Sequence, residues 1–255
     1  MDKKSFLNAE RPLLTCMVQA QSPDRIRKLI TAAKPEGADA FGMQFCRMKP
    51  EFKSPRTYRE LFEFASPLPV YVTNYRKYEN AGKTDEQLGE ELVELADCGA
   101  TLCDMMGDFY APCAGEFTTE PAAVDRQKRL IEKLHRHGAE VLMSSHVLKF
   151  TPAERVLEIA LGQQERGADI CKIVVGAETM EEQIENLRIL NLLRQELKIP
   201  FLFLSGGECR LLRRVGATMG SCMSLCVQEY DELATKSQPL LREMRLLREL
   251  LEVPK

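Results

Sequence analysis

Short apolar and β-branched runs alternate along the chain with longer stretches in which apolar positions recur every three or four residues. The short runs predict strands at 13–18, 38–45, 70–74, 101–106, 140–145, 169–175, 201–205 and 218–226. The longer stretches predict helices near 23–33, 56–65, 85–98, 122–137, 152–166, 179–197, 208–215 and 237–252. Leu187, Leu190, Leu193 and Leu197 keep one apolar stripe on the sixth helix, the mark of an element that buries a single face. Strands that read as continuous apolar runs belong to parallel sheets covered on both sides, and eight strand–helix alternations match the number that closes a barrel. The expected fold class is therefore α/β, a single (β/α)8 TIM barrel forming one domain over 1–255.

Punctuation supports this division. Gly-Ala recurs just before strands, at Gly37-Ala38, Gly99-Ala100, Gly138-Ala139, Gly167-Ala168 and Gly216-Ala217. Glycine accepts the left-handed conformation that ends a helix, and alanine lets the chain turn tightly into the next strand. Thr151-Pro152-Ala153-Glu154 and Thr179 before Glu181 and Glu182 read as helix starts. The longest irregular stretch, 107–121, follows the fourth strand, where a barrel carries loops of its catalytic face; a lid is one expectation for it.

Composition narrows the partners. With 35 basic and 38 acidic residues in 255, the chain lacks the basic excess of a nucleic-acid binder. The N-terminal segment Met1-Asp2-Lys3-Lys4-Ser5-Phe6 has no apolar stretch of signal-peptide length, and no run approaches a membrane span, so a cytoplasmic setting is expected. Nine cysteines, an odd number set mostly in apolar runs, argue against a disulfide framework. Cys222 and Cys226 lack further ligands at zinc-site spacing, and no metal or other cofactor is expected.

Candidate chemistry is sought where strands end. Lys172 lies inside the apolar strand Asp169-Ile170-Cys171-Lys172-Ile173-Val174-Val175. Two readings stand: a lysine that snorkels or pairs with a carboxylate, or a barrel-interior amine with a depressed pKa that attacks a ketone. His146 ends the fifth strand, one βα unit earlier, while His135 and His137 flank Arg136 at a helix end and read as solvated. An imidazole suits a group that takes and returns a proton. Arg213 and Arg214 read as a basic helix end or as a clamp on a substrate carboxylate. Ser205-Gly206-Gly207 and Gly220-Ser221 read as tight turns or as anion-binding backbone.

Taken in order, these residues resemble the type I 3-dehydroquinate dehydratases. Ser144-Ser145-His146 through Phe150-Thr151-Pro152 resembles the family's Ser-x-His…Phe…Thr-Pro segment, and Gly167-Ala168-Asp169-Ile170-Cys171-Lys172 its Gly-Ala-Asp-x-x-Lys segment. Arg213, seven residues before Gly220, resembles the substrate-binding arginine. The resemblance implies a catalytic His146, a Schiff-base Lys172 and substrate contacts from Arg213, Ser205, Gly206, Ser221, Gln44, Arg76 and Asp104. It spans the chain and is most specific over 138–222. Gly42-Met43-Gln44 stands where the family has Glu-x-Arg, Tyr75-Arg76 near its third-strand arginine, Met106 where a glutamate orients the histidine, and Ser237-Gln238-Pro239-Leu240-Leu241 in place of the Ser-Ala-Pro-Gly-Gln lid.

What the resemblance implies is a carbon–oxygen lyase of the shikimate pathway and aromatic amino acid biosynthesis, working on a small carboxylate ketone through a lysine imine without metal. The implied partners are that small molecule and, for some members, a second copy of the chain; neither nucleic acid nor membrane is expected. The altered second to fourth strands leave two alternatives: a Schiff-base lyase or aldolase for another ketone, including a phosphorylated one, and a non-catalytic ligand-binding relative.

Overall fold

The computed structural model describes residues 5–251. The expectations that fall on residues 1–4 and on residue 252 of the last helix lie outside the described residues. In chain order the elements are β1 (Leu13–Val18), α1 (Pro23–Ala33), β2 (Ala40–Gln44), α2 (Pro55–Ala65), β3 (Val70–Thr73), α3 (Asp85–Asp97), β4 (Leu102–Met106), α4 (Pro121–Arg136), β5 (Glu140–His146), α5 (Ala153–Glu165), β6 (Ile170–Gly176), α6 (Met180–Glu196), β7 (Phe201–Gly206), α7 (Leu212–Met219), β8 (Met223–Cys226) and α8 (Leu241–Leu251). The strands are parallel neighbours in the order β7-β6-β5-β4-β3-β2-β1-β8. A hydrogen bond from Cys222 N to Phe201 O (2.8 Å) joins the two sheet edges at the foot, giving a nearly closed (β/α)8 barrel.

Alternation along each strand separates two cores. On β6, Cys171, Ile173 and Val175 pack outward beneath the helices. Ile170 and Val174 instead join Met17, Ala40, Tyr71, Leu102, Leu142 and Leu202 in the barrel interior, and Lys172 shares their side of the strand. Their combined side chains fill the interior below the site, as expected of a packed barrel rather than a pore.

The Gly-Ala motif works as a repeated hinge. Gly37, Gly99, Gly138 and Gly167 have φ between +74° and +112°. After each, the alanine N–H bonds back into the finished helix, as Ala38 N does to Ala33 O, and the next N–H starts the new strand, as Asp39 N does with Leu14 O. The fifth copy departs from this. Gly216-Ala217 lies inside α7, and Gly220, at φ +135°, ends that helix instead. Because α7 begins only at Leu212, it must run to Met219 to regain the foot of the barrel, so β8 is shorter than the predicted 218–226.

All nine cysteines are free. Among the described residues no cluster of three or more His, Cys, Asp or Glu is placed to hold a metal, and no helix is long and apolar enough to cross a membrane.

Candidate active site

A cavity of about 850 Å³ opens at the C-terminal ends of the strands, lined by Lys172, His146, Glu116, Arg213, Tyr75 and Gln44 among others. Lys172, whose side chain is 5% exposed, is anchored on its floor. Its Nζ donates to Asp104 Oδ2 (3.0 Å), Tyr71 Oη (3.0 Å) and Tyr75 Oη (2.8 Å). An ammonium has three donors and no acceptor, and all three are matched here. Lys172 and Asp104 thus meet as a buried ion pair, the carboxylate-paired arrangement that the sequence left open beside the free-amine reading. Desolvating two charges is tolerable when they are paired and fully hydrogen-bonded.

Asp104 is the hub of that cluster. Its Oδ2 accepts from Lys172 and from both tyrosine hydroxyls, and its Oδ1 from Ser144 Oγ at 2.6 Å. Burial pushes the carboxyl up, but the Lys172 charge and the hydroxyl donors outweigh it and hold the group below the usual carboxylate range. At 1% exposure and beneath the lysine, Asp104 serves as the counterion of Lys172; it is not among the cavity-lining residues, contrary to its expected role as a substrate contact.

His146, at the end of β5, is held by a carboxylate that the sequence pattern does not single out. Glu116, from the loop between β4 and α4, accepts from His146 N (3.2 Å) and pairs with His146 Nδ1 (2.6 Å), leaving the other ring nitrogen for the cavity. Burial raises the Glu116 carboxyl, and its contacts with His146 more than reverse that. Met106 lies on β4, and the carboxylate beside His146 comes instead from the loop that follows. Glu116 has φ +50°, directly after Gly115 at +83°. That left-handed pair turns the Glu116 carbonyl onto Ser145 Oγ while its carboxylate meets His146. For a non-glycine residue this conformation costs on the order of 1–3 kcal/mol and persists only where its surroundings impose it.

Those surroundings are firm. Arg166, 7% exposed, donates to Gly107 O (3.0 Å), Gln127 Oε1 (2.9 Å) and Thr118 O, clasping the loop at both ends. Phe117 packs into the hollow left by Gly162, where a Cβ would approach its ring to 2.4 Å, and the Arg166 guanidinium lies 4.0 Å over that ring. Burial lowers the Arg166 pKa to about 10. In this structure the 107–121 stretch forms a fastened wall of the cavity.

Arg213 lies on the opposite side of the cavity. It is 8% exposed, and its Nε donates to Ser205 O at 2.7 Å. No carboxylate pairs with it among the described residues; burial, helped by the nearby charge of Arg210, pushes its pKa down to about 10. A buried cation on a cavity wall without an acidic partner favours an incoming anion. Thr73 Oγ1 and Gln238 Oε1 are likewise buried without a partner, and both residues line the cavity.

Other expected contacts are placed differently. Arg76 lines the cavity, but its guanidinium is taken by Asp85 (2.6 and 2.7 Å) and by Asp108 (2.7 Å to the carboxylate). Its pKa is raised because these hydrogen bonds and charges outweigh a desolvation that acts the other way. It pins two loops together. Ser205 donates to Cys209 O, and neither Ser205 nor Gly206 lines the cavity. In the adjoining turn, Glu208 N donates to Glu178 Oε2 (3.3 Å), so an acidic side chain sits where the phosphate reading would put an anion. Ser221 lies at the barrel foot behind β7, accepting from Phe203 N (3.3 Å), because the late end of α7 carries it to the N-terminal side of β8.

Comparison with known proteins identifies the family and supports the fold. The family model of type I 3-dehydroquinase matches residues 15–254. The chain is 25% identical over 234 residues to the 3-dehydroquinate dehydratase of Geobacillus thermodenitrificans, covering 89% of this chain and 86% of that one. It is 26% identical over 186 residues to that of Methanosarcina acetivorans, covering 72% and 73%. Among solved structures, the 3-dehydroquinate dehydratase of Geobacillus kaustophilus superposes with a TM-score of 0.81 at 16% identity, over 96% of this chain and 93% of that one. The type I enzyme of Clostridium difficile, with covalently modified comenic acid, gives a TM-score of 0.79 at 16% identity, over 96% and 94%.

Proposed function

Because the chain belongs to the type I 3-dehydroquinase family, we propose that it is a carbon–oxygen lyase of the shikimate pathway that dehydrates 3-dehydroquinate to 3-dehydroshikimate through an imine on Lys172. The observation that carries this reading is one cavity holding a buried lysine on its floor, a carboxylate-oriented imidazole on one wall and a buried arginine without an acidic partner on another.

Arg213 takes the substrate carboxylate, which sets the ketone over Lys172. Thr73 and Gln238 offer their orphaned oxygens to substrate hydroxyls, and Gln44 adds an amide on the β2 side. Lys172 passes its extra proton to Asp104, adds to the carbonyl carbon and expels water, leaving a protonated imine that stays paired with the Asp104 carboxylate. The imine draws electrons from the neighbouring carbon, and His146 removes the proton there; acid–base help of this kind is worth about 10²–10⁴-fold. The Glu116 carboxylate stabilises the resulting imidazolium, which returns the proton to the departing β-hydroxyl. Water then releases the product and restores the Lys172 ammonium. Two copies paired through outer helices, acting in the cytoplasm, complete the reading.

The test is reduction with borohydride in the presence of 3-dehydroquinate, followed by mass analysis of the peptides. A reduced adduct on Lys172, with turnover that disappears in Lys172→Ala, is the expected result. An unmodified lysine with no turnover would overturn the proposal.

A further inference from the structure

Imine formation makes its own demand for protons, separate from the elimination. The ammonium must lose a proton, and the carbinolamine oxygen must gain two before it leaves as water. Among the described residues, three groups hydrogen-bond with Lys172 Nζ: Asp104, Tyr71 and Tyr75. Asp104 and Tyr71 are sealed beneath the lysine at 1% and 0% exposure and do not line the cavity, whereas Tyr75 does. No hydrogen bond joins His146 to Lys172 among the described residues; the imidazole meets the Tyr75 ring edge-on, with centroids 5.4 Å apart at 80°.

We propose that Tyr75 is a second catalytic acid–base group, working with Asp104 on the nitrogen and oxygen of the carbinolamine while His146 and Glu116 act at carbon. This rests on the imine reading above and assigns that step to a residue of its own. The phenol is already strung as a relay, accepting from Lys172 Nζ at 2.8 Å and donating to Asp104 Oδ2. Its backbone is fixed by the buried Asn80, whose Nδ2 donates to Tyr75 O at 3.1 Å.

The protons balance. The Lys172 ammonium transfers one proton to Asp104, giving an amine and a carboxylic acid. The amine lone pair forms the C–N bond while the carbonyl π pair moves onto oxygen. Tyr75 carries a proton from the new ammonium nitrogen to that oxygen, giving the neutral carbinolamine. It then delivers the Asp104 proton to the hydroxyl as the C–O bond breaks, leaving water, the iminium and the Asp104 carboxylate. The phenol ends as it began. Burial, and then the Asp104 charge, hold its pKa well above the ordinary value, so it relays protons without resting as a phenolate.

The experiment measures the rate at which 3-dehydroquinate becomes borohydride-trappable in the wild type, Tyr75→Phe and His146→Gln. Tyr75→Phe is expected to slow trapping about 10²-fold, the lower end for loss of an acid–base group, while His146→Gln traps at near the wild-type rate yet fails to turn over. Equal trapping rates in Tyr75→Phe and wild type would overturn the role of Tyr75 alone. A wild type that does not trap at all would overturn the imine reading on which it rests. If Tyr75→Phe does not fold, 3-fluorotyrosine at position 75 keeps the shape and makes the phenol more acidic. The trapping rate at fixed pH should then change several-fold, and an unchanged rate overturns the proposal.

Discussion

Replacing Lys172 by Met should destabilise the fold as well as abolish the chemistry, and the size of that effect tests the buried ion pair. Met nearly preserves the volume of the lysine stem, so packing changes little. What is lost is the charge opposite Asp104, whose side chain is 0% exposed. Removing one partner of a buried pair costs about 3–5 kcal/mol. Asp104 keeps hydroxyl donors from Ser144, Tyr71 and Tyr75, which places the loss at the lower end, about 3 kcal/mol. For a chain of this length the unfolding entropy is about 0.5 kcal/mol per kelvin, so the midpoint should fall by about 6 °C at pH 7. The pH dependence gives the sign. In the wild type the Asp104 pKa is depressed, so its contribution is present above the unfolded value near ~3.9 and is lost as pH falls through the folded value. In Lys172→Met the attraction is gone and burial pushes the same group up, so acidification relieves the variant by protonating Asp104. Thermal unfolding of both proteins between pH 7 and pH 4.5 should show the gap narrowing. Adding Asp104→Asn to Lys172→Met should recover most of the loss. A variant as stable as the wild type at pH 7, or a gap that does not change with pH, would refute the pairing.

Two further substitutions separate the walls of the cavity. Glu116→Gln keeps the shape beside His146 but removes the charge that supports its imidazolium; kcat is expected to fall about 10²-fold with KM within twofold, which steady-state kinetics with 3-dehydroquinate reads directly. Arg213→Lys replaces a planar fork by a point charge, and KM should rise about tenfold, the equivalent of ~1.4 kcal/mol, with kcat largely retained.

The barrel was legible because its signals are local and repeated: short continuous apolar runs and period-3.6 patterns, together with four Gly-Ala hinges that each end a helix and start a strand. The misplaced end of α7 shows the limit, since Gly216-Ala217 is chemically like the others and only the late start of the helix keeps it from acting as a hinge. The placement of Lys172 and His146 followed from strand position. Their partners did not, because Asp104, Tyr71 and Tyr75 meet Lys172 from 68, 101 and 97 residues away. Glu116 is 30 residues from His146 in a stretch without periodicity, and Gly115 directly before it was the one local hint of an aimed turn. The aspartates that hold Arg76 were equally hidden, since they lie 9 and 32 residues from it.

The grip of Arg166 on Gly107 and Thr118 also bears on how new specificities arise in this scaffold. With the general-base side of the mouth bolted to α5, ligands of different size must be accommodated elsewhere on the rim, along the 235–238 segment after β8. Laboratory selection for altered substrate range should therefore collect its changes along that segment and leave the clasped loop untouched.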